Sequence, residues 1–482
     1  MEFEPTIGLE VHIQLLTDSK IFCSCSTKFG SLPNENVCPV CMGMPGVLPV
    51  LNKKVVEFAL KLGIALNCNI NKYSCFARKN YFYPDLPKNY QISQYELPIL
   101  TGGYVEIEDE NGFKKIPLER IHIEEDAGKT IHTSDSSLID YNRTGTALLE
   151  IVSKPDIETP KQAYEYLRSL RRIVRYLGIC DGNMEEGSLR CDANISIKPK
   201  GQKELGTKVE IKNMNSFKHV EKALEYEWNR QLQAVTDNEP IIQETRLFDE
   251  KTLTTKPMRS KEEAYEYRYF PDPDLVPIFI DDDFIQFVKS DLPELPFDKM
   301  QRFIKQYGIK EEDAKTLVES KDLANYFEET AKLSNSKAAS NWILTEVLGY
   351  LNKENKDITQ CKIKPTDLAE LINLVENNVI SGKIAKEVFA KMYENALSPK
   401  VIIEKENLTL IQDTSIIEKA LDEAIASNPK AVEQYKAGKK NIIGFFVGAV
   451  MKATKGKADP KIVNELIIKK LGDIWEPLFT RG

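Results

Sequence analysis

The stretch GLEVHIQL, residues 8–15, decides how the chain begins to fold. Leu9, Val11, Ile13 and Leu15 alternate with Glu10, His12 and Gln14. A period of two is that of a strand, so the apolar set faces a core while a carboxylate and an imidazole share the opposite face. Working outward, the same texture returns in GGYVEIED (102–109), KKIPLERIHIEED (114–126), ALLEIVS (147–153), DANISIK (192–198) and KVEIKN (208–213). Each is a short β-rich run bounded by Gly, Pro, Asn or Asp. A helix interrupts them at TPKQAYEYLRSLRRIVRYLG: Thr159 is placed to cap it, Pro160 to open it and Gly178 to end it. Its polar face carries Arg168, Arg171, Arg172 and Arg175, which suits either solvent or a nucleic acid.

The texture changes after YFPDPDLVPIFIDD. NWILTEVLGYLN and KIAKEVFAKMYENA are helical in pattern, and a further small helical unit follows. The expected class is therefore α+β: a β-rich domain over 1–293, a helical domain over 294–407 and a small all-α tail over 408–482. Residues 428–470 hold ten lysines against three acids, broken by Gly438, Gly444, Gly448 and Gly456. Lysines on glycine-bounded loops suit a phosphate backbone, and they equally suit a solvated helical cap.

Composition narrows the function classes. A net charge of −8 argues against a wholly basic nucleic-acid binder. The start MEFEPTIGLE lacks a signal peptide's basic and apolar regions, and IIGFFVGAVM is too short to span a bilayer. A cytoplasmic protein with reduced thiols is expected. Four of the nine cysteines cluster: Cys23, Cys25, Cys38 and Cys41, in CSCSTKFGSLPNENVCPVC. Two thiol pairs on one short loop can close a tetrahedral, structural Zn²⁺ site. The alternatives are a redox pair at Cys38 and Cys41, or plain buried thiols.

The strands also concentrate acids: Glu124, Glu125 and Asp126, then Glu150, then Glu185, Glu186 and Asp192 with Asn194 and Arg190 among them. Carboxylates in apolar surroundings need a divalent cation or an arginine to offset their desolvation. Oxygen ligands with one imidazole suit Mg²⁺ or Mn²⁺, and Mg²⁺ commonly bridges such a site to ATP phosphates. No G-x-x-x-x-G-K-[ST], G-x-G-x-x-G or G-x-S-x-G motif occurs, nor a glycine/serine-rich amidase signature. With four histidines in the chain, a serine or cysteine hydrolase is poorly supported.

Eight blocks together resemble the family of B subunits of the tRNA-dependent amidotransferases: IGLEVHIQL, RKNYFYPDLPKNYQISQYE, IHIEEDAGK, DYNRTGTALLEIVS, MEEGSLRCDANIS, EIKNMNSFKHV, MRSKEEAYEYRYFPDPDL and GFFVGAVMKATKGKADP. The resemblance implies an antiparallel β-rich, glutamine-synthetase-like cradle, then a helical domain and a small tRNA-binding helical tail. It implies ATP-dependent phosphorylation of the side-chain carboxylate of Glu-tRNA(Gln) or Asp-tRNA(Asn), then amidation by ammonia. That ammonia would come from a partner amidase subunit, clasped by a small third subunit in a heterotrimer.

Residue by residue, the resemblance places the Mg²⁺ site at His12 and Glu125, with Glu10 and Glu150 as further ligands. Strand alternation sets Glu124 and Glu125 on opposite faces unless a bulge intervenes. Lys79 resembles a family lysine near the ammonia path. Lys79 and Arg190 are expected to balance phosphate or carboxylate charge. Tyr81 and Tyr83 suit either the pocket lining or the core. Tyr265 and Glu266 stand where many relatives have His and Asp, so no role is assigned there. The cysteine quartet resembles the family's zinc-bearing members. Two rivals remain: a free-standing ATP-dependent ligase acting on a small substrate, and a non-catalytic tRNA-binding scaffold.

Overall fold

The computed structural model describes residues 2–110, 112–260, 264–410, 414–436, 439–454 and 457–473. Gly438, Gly456 and the side chain of Tyr265 lie outside the described residues. The chain is a mixed α+β protein in two compact units, Met1–Pro296 and Phe297–Gly482.

The opening stretch lies in the strand Phe3–Gln14, where Leu9, Val11 and Ile13 are buried and Glu10, His12 and Gln14 are half-buried. This strand is central in a sheet of ten strands among the described residues. Leu189–Pro199 flanks it on one side and Ala147–Ser153 on the other, both antiparallel, and Gly112–Glu125 pairs with the latter. One pairing departs from the antiparallel expectation: Val209–Lys212 and Glu244–Asp249 run parallel. The helix Phe217–Thr236 lies between these two strands in the chain and supplies the crossover a parallel pair requires.

Alternation gives the sheet two unlike faces. Leu9, Val11, Ile13, Ile121, Ile123, Leu149, Ile151, Ala193 and Ile195 are fully buried in one apolar cluster. Residues of Lys53–Ala65, Pro160–Tyr176 and Phe217–Thr236 complete that cluster, among them Leu60, Leu167 and Leu224. The second of these helices is capped by Thr159, whose hydroxyl accepts from the Gln162 amide at 3.1 Å. Gly178 follows its end at φ +66°, a left-handed conformation that glycine adopts without steric cost. The other sheet face is polar. A small sheet of Phe270–Pro271, Ala77–Asn80 and Tyr90–Ser93 contributes residues to the cavity on that side.

The second unit is helical and holds two separate apolar clusters. One centres on Phe303, Phe327 and Phe389; the other on Ile417, Phe446, Val450 and Ile467. No described helix is long and apolar enough to cross a membrane.

Candidate active site and thiol cluster

Register across the sheet builds the site. His12 lies opposite Glu150 on one neighbour and Arg190 on the other; Glu150 lies opposite His122; Glu10 lies opposite Asp192. Because paired residues share a face, one transverse row reads Arg190, His12, Glu150, His122. Glu124, two residues beyond His122, falls on that face too.

These side chains converge. His12 Nε2 lies 3.2 Å from Glu150 Oε2 and 4.0 Å from Glu124 Oε1. His122 Nε2 is 3.4 Å from Glu150 and 3.6 Å from Glu124. Candidate ligand atoms of His12, Glu124 and Glu150 all lie within 4.8 Å of one another, a spacing that could hold a metal ion. Ser93 Oγ donates to Glu124 at 2.9 Å, and Gln91 also holds that carboxylate.

Electrostatics keep the cluster ionised. Burial opposes the charge of Glu124, but Lys79 and His122 pull its pKa down to about 2. Burial likewise opposes the charge of Glu150, and the two imidazoles hold it well below the usual range. Burial works against a cationic His122, yet Glu150 and Glu124 push it up to about 9. His12 is raised for the same reason, burial being outweighed by its hydrogen bond to Glu150. Two buried carboxylates thus face two imidazoles that balance their charge as imidazolium; a divalent cation held by Glu124, Glu150 and neutral His12 would replace that positive charge, with the His12 proton released.

The cluster opens into a cavity of about 610 Å³. Cations line it: Lys79, Arg120, Arg143, Arg190 and Lys212. Lys79 Nζ sits 5.0 Å from the Tyr267 ring centre and 5.9 Å from that of Tyr81. Burial would lower the Lys79 pKa, but Glu124, Tyr269 and Glu150 raise it well above the lysine range. Asp126 anchors the rim: Arg190 Nη2 donates to it at 2.8 Å and Gln14 Nε2 at 2.9 Å, with Arg143 Nε 3.5 Å away. Asn194 Nδ2 donates to Glu10 at 2.8 Å, and Lys212 to Asp192 at 2.5 Å.

Of the residues expected at the metal, His12 and Glu150 meet. Glu10 lines the same cavity, outside the 4.8 Å group. Glu125 does not join them. No bulge shifts it, so its side chain falls on the opposite face of the strand, where it pairs with Lys88 and accepts from the Ile92 amide at 2.8 Å. Glu124 takes its place. Tyr81 lines the cavity and donates to Gln91 at 2.9 Å, while Tyr83 packs edge-on against Tyr81 and is 46% exposed. His122, Gln91, Arg143, Tyr267 and Tyr269 went unassigned in the sequence. The alternation in RIHIEED signals His122; the others come together only through tertiary pairing.

The cysteine quartet also converges. The sulfurs of Cys23, Cys25, Cys38 and Cys41 all lie within 4.8 Å of one another, a set that could hold a metal. Zn–S bonds near 2.3 Å place tetrahedral sulfurs about 3.8 Å apart, so small movements suffice. Cys41 Sγ also accepts from the Cys38 amide at 3.1 Å.

A mixed α+β fold whose central sheet gathers carboxylates, imidazoles and cations on one face defines the class of site. Comparison with known proteins then defines the family. The profile of the GatB/GatE catalytic domain matches residues 5–286, and that of the GatB domain matches 325–471. The B subunit of the aspartyl/glutamyl-tRNA(Asn/Gln) amidotransferase of Thermodesulfovibrio yellowstonii is 58% identical over 473 residues, covering 98% of this chain and 100% of that one. The protein of the same name from Carboxydothermus hydrogenoformans is 54% identical over 479 residues, again 98% and 100%. The one from Persephonella marina is 52% identical over 469 residues, 97% and 99%. The chain belongs to this family of amidotransferase B subunits.

Proposed function

We propose that the chain is the kinase and transamidase subunit of an enzyme converting Glu-tRNA(Gln), Asp-tRNA(Asn) or both to the corresponding amides. The observation that carries this reading is the His12, Glu124 and Glu150 cluster at the floor of a cation-lined cavity. A carboxylate resists amidation because oxide is a poor leaving group. Phosphorylation by ATP converts that oxide into phosphate, which ammonia displaces. Phosphoryl transfer between two anions is governed by positioning and charge neutralisation.

Each group then has a role. His12, Glu124 and Glu150 would hold Mg²⁺ or Mn²⁺, which when bound neutralises phosphate charge. Glu10 and Asp192 extend the acidic floor toward a second cation. Lys79, held cationic by Glu124 and Glu150, faces the site of charge development, and Arg190 and Arg143 at the rim suit phosphate oxygens. Tyr81, Tyr267 and Tyr269 wall that cavity and limit water near the acyl phosphate.

Within this reading, the β-rich unit is the glutamine-synthetase-like cradle and 294–407 the helical domain. Residues 408–482 are the tRNA-binding tail, recognising shape and backbone. The four thiolates carry a structural Zn²⁺. The partners are an amidase subunit, which supplies ammonia, and a small third subunit that clasps the two. A direct test is product analysis with the assembled subunits, charged tRNA, ATP and glutamine. The reading expects Gln-tRNA or Asn-tRNA to form only when ATP is present. Amide formation without ATP, or from free glutamate without tRNA, would contradict it.

A further inference from the structure

Lys20 is fully buried, with 0% of its surface exposed. Its ammonium donates to the Asn36 carbonyl at 2.7 Å and the Tyr141 carbonyl at 3.3 Å, and lies 3.6 Å from Cys41 Sγ. Among the described residues no carboxylate oxygen pairs with it. A buried cation without a counter-charge is costly, and two neutral carbonyls do not neutralise it. Four thiolates around Zn²⁺ carry a net charge of −2, so the cluster is the anionic group in contact with this ammonium; the Glu125 carboxylate, which also borders Gly145, is paired with Lys88.

The same ammonium joins two loops. The thiol loop is stitched to residues 139–142 by Asn34 Nδ2 to the Ile139 carbonyl at 3.0 Å, the Asn36 amide to Asn142 Oδ1 at 2.8 Å, and Asn142 Nδ2 to the Leu32 carbonyl at 2.6 Å. The next residue is Arg143. Its guanidinium donates to the Ala127 and Gly128 carbonyls at 3.0 and 2.7 Å and lines the cavity. Gly145 follows at φ +78°, in van der Waals range of both Cys41 and Lys20 for any added Cβ.

We infer that Lys20 is the buried counter-ion of the Cys23, Cys25, Cys38 and Cys41 metal cluster, and the positioning residue that couples this cluster to the Arg143 loop. The inference rests on the zinc reading proposed above. It extends that reading by giving the site a charge-balancing partner outside the ligand shell, the kind of contact that tunes metal affinity by about 10- to 100-fold.

The test uses the purified full chain. Wild type is expected to hold one zinc per chain; none would sink the zinc reading itself. Lys20→Met, which keeps length and loses charge, is expected to yield zinc to excess chelator about 10- to 100-fold faster, while Lys20→Arg stays near wild type. In cobalt-substituted protein, loss of the positive charge should move the sulfur-to-metal absorption to longer wavelength, a signature that packing alone would not give. Equal release rates and an unmoved band in Lys20→Met would overturn the inference. If Lys20→Met is insoluble, the pair Lys20→Met/Cys41→His decides. Replacing one thiolate by a neutral imidazole lowers the cluster's negative charge and should restore soluble, zinc-bearing protein; continued insolubility counts against Lys20 as counter-ion.

Discussion

Glu124 and Glu125 are adjacent in the chain and opposite in role, because a strand sends successive side chains to opposite faces. Glu124 faces two imidazoles and Lys79; Glu125 faces Lys88 in a pair whose side chains are 3% and 7% exposed. Glu125→Gln leaves the Lys88 charge buried without its partner, which should cost about 3 kcal/mol of stability. Thermal unfolding of the two proteins measures this; an unchanged midpoint would show that Lys88 finds another partner or water. Lys79 sits within the cavity among Tyr81, Tyr267 and Tyr269. Lys79→Ala should lower ATP-dependent amidation by about 100-fold, as expected when one preorganised charge is removed from a developing anion. Amidation at the wild-type rate would remove Lys79 from the mechanism.

Elements explain what the sequence did and did not disclose. The period of two in GLEVHIQL and in ALLEIVS revealed both strands, and with them the shared face of Glu10 and His12. The helix caps at Thr159 and Gly178 were equally readable, since capping is local chemistry. Alternation also separated Glu124 from Glu125, yet the choice between them needed to know which face His12 and Glu150 share. That depends on two registers, one between strands more than one hundred residues apart and one between strands about 20 to 35 residues apart, which no local pattern encodes. The short strands Ala77–Asn80 and Tyr90–Ser93 were harder still: they gain their place by pairing with each other and with Phe270–Pro271. The thiol loop was visible from spacing, but its stitching to residues 139–142 was not. Because zinc binds thiolates, acidification of the proposed zinc site would protonate the sulfurs and release the metal. Removing zinc by chelator or low pH should therefore raise amide hydrogen exchange across 139–145, read by mass spectrometry. Unchanged protection there would show that the loop holds itself without the metal.

The whole molecule carries a net charge of −8 while its last helices are rich in lysine. In the proposed function, an acidic body joined to a basic tail would direct tRNA to the tail. Ending the protein near residue 410 should raise the KM for aminoacyl-tRNA and weaken its salt dependence, with ATP binding unchanged. Identical tRNA kinetics would exclude the tail as a tRNA contact. The most direct test of the account is metal-dependent ADP release by the assembled enzyme, with and without Glu-tRNA(Gln), in wild type, Glu124→Gln and Glu125→Gln. The account predicts release that requires charged tRNA, is lost in Glu124→Gln and persists in Glu125→Gln below its melting temperature. Full release in Glu124→Gln, or release indifferent to tRNA, would contradict it.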